Sequence, residues 1–209
     1  MRLTVTTFVT LDGVMQCPGV PDEDGTGFEY GGWSVPYGDE DFGKFMASVF
    51  VNAEAFLLGR KTYEIFAGYW PRVTDENDPI AGQLNRLPKY VVTGTLTDLA
   101  WPNSTRLGGN VVDAVSRLKA QPGNELQVHG SGQLAQALIE HGLVDEYRLL
   151  IFPVILGTGR QLFPRTPVTA ALRLADSRTT SAGVTILTLR PAGQATFGSY
   201  ALPTDTAES

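Results

Sequence analysis

Glu125-Leu126-Gln127-Val128-His129-Gly130-Ser131-Gly132-Gln133-Leu134 reads as a buried strand that passes through a glycine turn straight into a helix. Glycines let backbone N–H groups approach an anion with no Cβ in the way, and a helix beginning near Ser131 brings its positive dipole end to the same place. Two readings stand at this point. The turn is a site for a phosphorylated cofactor, or it is a tight strand-to-helix connection with Ser131 as N-cap. Gly130-Ser131-Gly132 lacks the third glycine of the dinucleotide fingerprint, and no acidic residue ends a following strand at the usual distance.

The same strand–glycine–helix pattern occurs upstream. Residues 55–58 form a short apolar strand that runs into Gly59-Arg60-Lys61-Thr62 and a helix to about residue 68. Residues 90–93 repeat the strand pattern and end in Gly94, and Gly109-Asn110 precedes a helix over 111–120 stopped by Pro122-Gly123. Before them, residues 3–9 alternate as a first strand ending at Thr10-Leu11-Asp12-Gly13. Phe42, Phe45, Met46, Val49 and Phe50 recur at helical spacing, with Asp39 and Asp41 in the cap region. After a helix over 131–141 the pattern turns to strands alone, at 147–154, 172–176 and 184–189, with Ser181-Ala182-Gly183 as a hairpin turn. The alternation predicts an α/β fold with a mixed, mainly parallel sheet and an antiparallel C-terminal edge hairpin. One domain is expected over residues 1–191, with a tail over 192–209.

A chain of 209 residues is long enough to bury one full core. A net charge of -6 without a Lys/Arg cluster argues against nucleic acid as a partner. With no long apolar run there is no membrane span, and a start that reads directly as a strand gives a cytoplasmic location as the default expectation. Cys17 is the only cysteine and His129 and His141 the only histidines, so neither a disulfide framework nor a Cys/His metal site is expected.

Arg60, Lys61 and Thr62 gather two cations, a hydroxyl and free N–H groups at one helix start, and paired cations favour the 2′-phosphate of NADPH over the bare ribose of NADH. Thr93 and Gly94 end a third strand on the same side of the sheet, where ligands of open α/β sheets collect. A single elongated ligand would touch all three junctions. Asp12 closes the first strand and reads either as a turn-forming residue or as a group that contacts substrate or orients a water. Asp41 is a candidate proton donor or substrate clamp, with helix capping as the alternative. The loop over residues 16–39, crowded with Gly, Pro and acidic residues, has the length of a functional lid, and Phe28, Tyr30, Trp33 and Tyr37 argue that part of it packs. Trp33, Gly157, Thr158, Gly159 and His129 complete the set of candidate substrate contacts, with a glycine bulge or turn as the alternative for residues 157–159 and a hydrogen-bonded core histidine as the favoured alternative for His129. Glu146 and Arg148 share a strand face, as an ion pair or a dimer contact.

Leu57-Leu58-Gly59-Arg60-Lys61-Thr62-Tyr63-Glu64 resembles the Gly-Arg-x-Thr junction of dihydrofolate reductases. The stretch from Gly130-Ser131-Gly132-Gln133-Leu134 through Gly142-Leu143-Val144-Asp145-Glu146 to Pro153-Val154-Ile155-Leu156-Gly157-Thr158-Gly159 is similar to a narrower group, the reductase domain of riboflavin-biosynthesis deaminase-reductases and its stand-alone relatives. The resemblance implies a dihydrofolate-reductase-like three-layer α/β/α fold, NADPH as hydride donor and a homodimer. It implies Arg60, Lys61 and Thr62 on the adenosine-side phosphates near Thr93 and Gly94, and Gly59 at that junction. It implies Gly130, Ser131, Gly132, Gln133 and Leu134 around the pyrophosphate, and residues 16–39 as a lid over the nicotinamide. The implied reaction is reduction of a small heterocycle of the 5-amino-6-(5-phosphoribosylamino)uracil type, with a proton from Asp12, Asp41 or bound water. Dihydrofolate reduction and NADPH binding without turnover are the alternatives. The chain departs from these relatives in two places: Asp41 aligns with the pterin-binding acid only after a shift, and His129 stands where the riboflavin enzymes carry a substrate-contacting glutamate.

Overall fold

The computed structural model describes residues 1–75, 77–163 and 169–200. Eight strands form one sheet in the order β4-β3-β2-β5-β1-β6-β8-β7. The strands are β1 (Arg2–Thr10), β2 (Ala53–Gly59), β3 (Lys89–Val92), β4 (Ser104–Leu107), β5 (Glu125–His129), β6 (Glu146–Phe152), β7 (Leu172–Thr179) and β8 (Thr185–Pro191). The helices are α1 (Glu40–Phe50), α2 (Arg60–Tyr69), α3 (Pro79–Arg86), α4 (Val111–Lys119) and α5 (Gly132–Glu140). Strands β1 to β6 run parallel, and β8 and β7 add antiparallel pairings at one edge. The three-layer, mixed-sheet architecture expected from the sequence is the one observed.

The central strands are buried on both faces because helices cover both, and most of their side chains are apolar. On one side, Val115 and Leu118 of α4 and Leu134, Ala135 and Leu138 of α5 pack on Leu3, Val5, Leu57, Leu126 and Val128. On the other, Phe45, Met46, Val49 and Phe50 of α1, Tyr63 of α2 and Leu84 of α3 pack on Phe56, Leu58, Val91, Leu150 and Phe152. Strand β7 lies outside both cores and is exposed along its whole length.

Two elements were not anticipated from the sequence, α3 and β4. Helix α3 has eight residues, with Asp78 accepting from the N–H groups of Ile80 and Ala81 and Pro79 as its first residue, a start signal that is readable once sought. Strand β4 is four polar-rich residues at the sheet edge, too short for a periodic signal. Residues 11–39 contain one 3-10 turn, Val35–Tyr37, and no other helix or strand. Residues 192–200 likewise hold none, and the rest of the expected tail, 201–209, lies outside the described residues. Among the described residues no helix is long and apolar enough to cross a membrane.

Candidate active site

Above the ends of β1, β2, β3 and β5 lies a cleft of about 1260 Å³. Its floor is built by two strand-to-helix junctions that are bonded to each other. At the second, Gly130 and Ser131 both adopt left-handed backbone, with φ of 54° and 52°, so the chain leaves β5 sharply and starts α5 over the strand end. A Cβ on Gly130 would stand 3.3 Å from Thr62 Oγ1 and in a strained conformation, so glycine is what lets the junctions meet. Ser131 does not cap its own helix. Its backbone N–H donates to Thr62 Oγ1 (2.9 Å), and its Oγ accepts the Gly59 N–H (3.0 Å) while donating to the His129 carbonyl (3.0 Å). The first-turn N–H groups of Gly132, Gln133 and Leu134 have no acceptor within α5 and sit on the cleft wall.

All the residues expected to hold the cofactor are brought together on this wall: Gly59, Arg60, Lys61, Thr62, Thr93, Gly94, Gly130, Ser131, Gly132, Gln133 and Leu134. Arg60 reaches the Thr93–Thr95 turn, donating from Nη1 to Thr95 Oγ1 (2.9 Å), and Thr93 Oγ1 holds that turn by accepting the N–H groups of Thr95 and Leu96. Arg106 on β4 donates to the Thr93 carbonyl beside it (3.3 Å). This is a cation the sequence reading missed, because nothing in Ser104–Leu107 says which strand it pairs with.

The loop closes one side of the cleft. Arg160 pairs with the Asp24 carboxylate, Lys61 Nζ donates to the Asp24 carbonyl (3.1 Å), and Gln16 accepts the Arg160 N–H at Oε1 (3.0 Å). Met15, Gln16, Cys17, Pro18 and Gly19 all line the opening. Burial pushes the Cys17 thiol up, with the charge of Glu23 adding to it, so the sulfur stays protonated.

His129 borders the cleft as the last residue of β5, 4% exposed. Its ring stacks on Phe50 with centroids 4.5 Å apart and planes 12° off parallel. Behind it lies a buried polar row on one sheet face. Gln127 Nε2 donates to both the Val49 carbonyl (2.7 Å) and Glu125 Oε2 (2.8 Å), which fixes its Oε1 as the atom meeting His129 Nε2 at 3.0 Å. Arg148 then clamps Glu125 with two bonds, of 2.8 and 2.7 Å, and reaches Glu146 at 2.7 Å. The expected Glu146–Arg148 pair is therefore part of a larger cluster with Arg2 and Arg190. Burial would raise the Glu125 carboxyl, but the bonds and charge of Arg148, with Arg2 and Gln127, bring it down to about 2. Burial and the nearby Arg148 charge lower the His129 ring to about 3, so it is neutral. Three polar residues at alternate positions of an otherwise apolar strand, Glu125, Gln127 and His129, are the signal that could have revealed this row.

Five candidates do not line the cleft. Asp12 turns its carboxylate to the Thr10 hydroxyl (2.5 Å) and to the backbone N–H groups of Leu156 (3.3 Å) and Gly157 (2.7 Å). Burial works to raise its carboxyl, and these bonds together outweigh that and lower it. Asp41 accepts from the Ser181 N–H (3.0 Å) and hydroxyl (2.6 Å), and Asp39, the α1 N-cap, accepts from the Ala182 N–H (2.6 Å). Both acids thus fasten the β7–β8 turn to α1. Trp33 is buried edge-on to Phe152 (5.2 Å) and donates its indole N–H to the Gln16 carbonyl (2.7 Å), supporting the loop from behind. Gly157 and Thr158 are exposed beyond the rim, and only Gly159 of that trio reaches the cleft.

The family model of the RibD C-terminal domain matches residues 2–186. The chain belongs to that family. Two relatives from Bacillus subtilis (strain 168) resemble this RibD C-terminal domain in sequence. One, the uncharacterized protein YyaP, is 29% identical over 187 residues, covering 88% of this chain and 91% of its own. The other, the uncharacterized protein YwjB, is 26% identical over 141 residues, covering 68% and 74%. Among solved structures, a putative riboflavin biosynthesis protein from Shewanella sp. PV-4 shares the fold at a TM-score of 0.70, with 21% identity over 92% of this chain and 99% of that one. A pyrimidine reductase-like protein from Corynebacterium diphtheriae shares it at 0.59, with 14% identity over 91% and 92%. Within this RibD C-terminal domain the family match covers both glycine junctions and the polar row of β5.

Proposed function

We propose that the protein is an NADPH-dependent reductase that delivers hydride to a C=N or C=O group of a small heterocycle. The observation that carries this reading is the pair of cross-bonded glycine junctions opening on one cleft whose size exceeds the usual span of a single-ligand pocket, about 300–1,000 Å³. The donor set fits a dinucleotide. Gly132, Gln133 and Leu134 offer first-turn N–H groups to a pyrophosphate, and the Thr62 hydroxyl, whose oxygen already accepts from Ser131, has its hydrogen left to donate. Arg60, placed at the Thr95 hydroxyl, and Lys61 are the cations for a 2′-phosphate.

NADPH supplies the hydride when bound. The residues of the chain align and enclose the two reactants: the junctions fix one, the α1 side receives the other, and the loop held by Asp24 and Arg160 limits water. Asp12 and Asp41 have their carboxylates engaged away from the cleft, and the His129 Nε2 proton is committed to Gln127, which, of the sources Asp12, Asp41 and bound water, favours bound water. The aminouracil of the riboflavin route, tried both as the phosphoribosyl compound and as its ribosyl form, is the first acceptor class to test and dihydrofolate the second. A homodimer belongs to this reading, with the open strand β7 and its exposed Leu172 and Leu174 as the face offered to a second copy; light scattering of the purified chain tests it.

Thermal unfolding with NADPH, with NADH and without ligand tests the central claim. NADPH at 100 times its dissociation constant adds roughly 2.7 kcal/mol of stability. No shift at millimolar NADPH overturns the reading, and an equal shift with NADH removes the role of Arg60 and Lys61. Binding without NADPH consumption across pterin, pyrimidine and carbonyl acceptors makes the protein a nucleotide-binding member without turnover.

A further inference from the structure

The cleft has two chemically distinct ends. Among the described residues the cations on its wall are Arg60 and Lys61 at a glycine junction and Arg160 paired to the loop. The α1 end is lined by Phe8, by Phe42, Met46 and Phe50 at four-residue spacing on one helix face, and by Phe66 and Trp70 across from them. Two polar side chains adjoin these rings, Thr7, whose hydroxyl turns to the Phe8 carbonyl (3.5 Å), and His129. Its ring is held in one plane by Phe50, and its hydrogen-bonding polarity is set from behind. Gln127 must present Oε1, because its Nε2 is engaged by two acceptors, so His129 carries its proton on Nε2. Nδ1 is then a bare acceptor, and among the described residues no group hydrogen-bonds to it. With the Nε2 edge turned to Gln127, Nδ1 is the ring nitrogen left for the cleft that His129 borders.

We propose that the α1 end selects an uncharged, flat ring system bearing an N–H or O–H donor, and that His129 Nδ1 is the atom that reads that donor. The proposal rests on the reductase reading, in that the cofactor fills the junction end and leaves the aromatic end to the acceptor. A phosphate ester placed there meets aromatic faces and a neutral imidazole, with no cation to offset its desolvation. A ring without a donor leaves Nδ1 buried and unpaired. Gln127 is a positioning residue: it touches no ligand, and through it Glu125 and Arg148 fix which His129 nitrogen accepts.

The test uses the full chain saturated with NADP⁺, so that binding is read without turnover. Lumazine, a flat pteridinedione with ring N–H groups, is titrated against 1,3-dimethyllumazine, which lacks them, by fluorescence and calorimetry. The expected result is an affinity for lumazine about tenfold higher, the size of one hydrogen bond at a buried acceptor. His129→Phe keeps the stacking ring and should bring the two ligands to equal affinity by weakening lumazine alone. The ¹⁵N spectrum of the wild-type protein, whose two histidines are separated with His141→Asn, should show an unprotonated Nδ1 at His129 that shifts with lumazine and not with the dimethyl analogue. That measurement stands even if a variant fails to fold. A further pair, 5-amino-6-ribosylaminouracil and its 5′-phosphate, tests charge, and the uncharged member should bind better. Equal lumazine affinities, no binding by either, a protonated Nδ1, or preference for the 5′-phosphate each overturns the proposal while leaving the reductase reading intact. If NADP⁺ itself does not bind, the reductase reading falls; the same pairs are then measured on the chain alone, and the same results decide.

Discussion

Thr62 Oγ1 accepts the backbone N–H of Ser131 at 2.9 Å across 69 residues of sequence. That bond joins the starts of α2 and α5, so both walls of the candidate cofactor site move as one. Thr62→Val keeps the shape and removes the acceptor. A loss of about 1–2 kcal/mol in urea unfolding is expected, with NADPH binding weakened about tenfold, while Thr62→Ser stays near wild type in both. Unchanged NADPH affinity in the valine variant would show that the junctions hold their geometry without this bond.

Acid should unfold the protein through the polar row of β5. The Glu125 carboxyl titrates at about 2 in the folded chain against an ordinary value of 4.5, so the unfolded chain binds the extra proton first. Its contribution, about 3 kcal/mol, is fully present above pH 4.5 and is lost as pH falls toward 2. His129 acts in the same direction. Its folded ring titrates at about 3 against 6.5, so stability begins to fall below pH 6.5. Denaturant unfolding from pH 8 to 3 should show a decline in both windows. His129→Phe should flatten the upper one, and Glu125→Gln should cost roughly 3–5 kcal/mol at neutral pH by leaving Arg148 under-compensated.

Cofactor choice should depend on Arg60 more than stability does. The guanidinium is half-exposed, and its pair with Glu64 spans one helical turn, so Arg60→Leu should change unfolding by less than about 1 kcal/mol. The ratio of NADPH to NADH affinity should fall at least about tenfold, read by paired titrations. A preserved ratio would move 2′-phosphate recognition to Lys61 or Arg106.

Asp12→Asn and Asp41→Asn should behave as structural substitutions. With whichever acceptor supports NADPH consumption, kcat should stay within about threefold of wild type, since neither carboxylate lines the cleft. Asp12→Asn should cost about 1–3 kcal/mol, because the amide replaces one of the two oxygens that accept the Leu156 and Gly157 N–H groups. A hundredfold drop in kcat for either would restore it to the chemistry.

The junctions were legible because their signal is local: an apolar strand, a glycine and a helix start within ten residues state both the turn and the free N–H groups. The acids were not. Asp12 and Asp41 occupy positions that suit catalysis and backbone capping equally, and the partners that settle their placement, Gly157 and Ser181, lie 145 and 140 residues away. Gln127 was passed over for a related reason. An amide in a buried strand has no meaning until the register sets it between Glu125 and His129 and α1 brings the Val49 carbonyl to it. Trp33 read as a ligand contact by its type, yet its indole N–H is turned to the loop backbone.

The sheet order also sets a schedule. Strand β1 is made before its neighbours β5 and β6, so its two pairings are complete only after residue 152 has been made. Strand β2 likewise waits for β5. Such distant pairings make for slow folding. The Gly59–Ser131 and Thr62–Ser131 bonds need β2 and β5 side by side, so the candidate cofactor site waits on a strand made 69 to 72 residues later. Acquisition of NADPH affinity during refolding should therefore coincide with the last cooperative step.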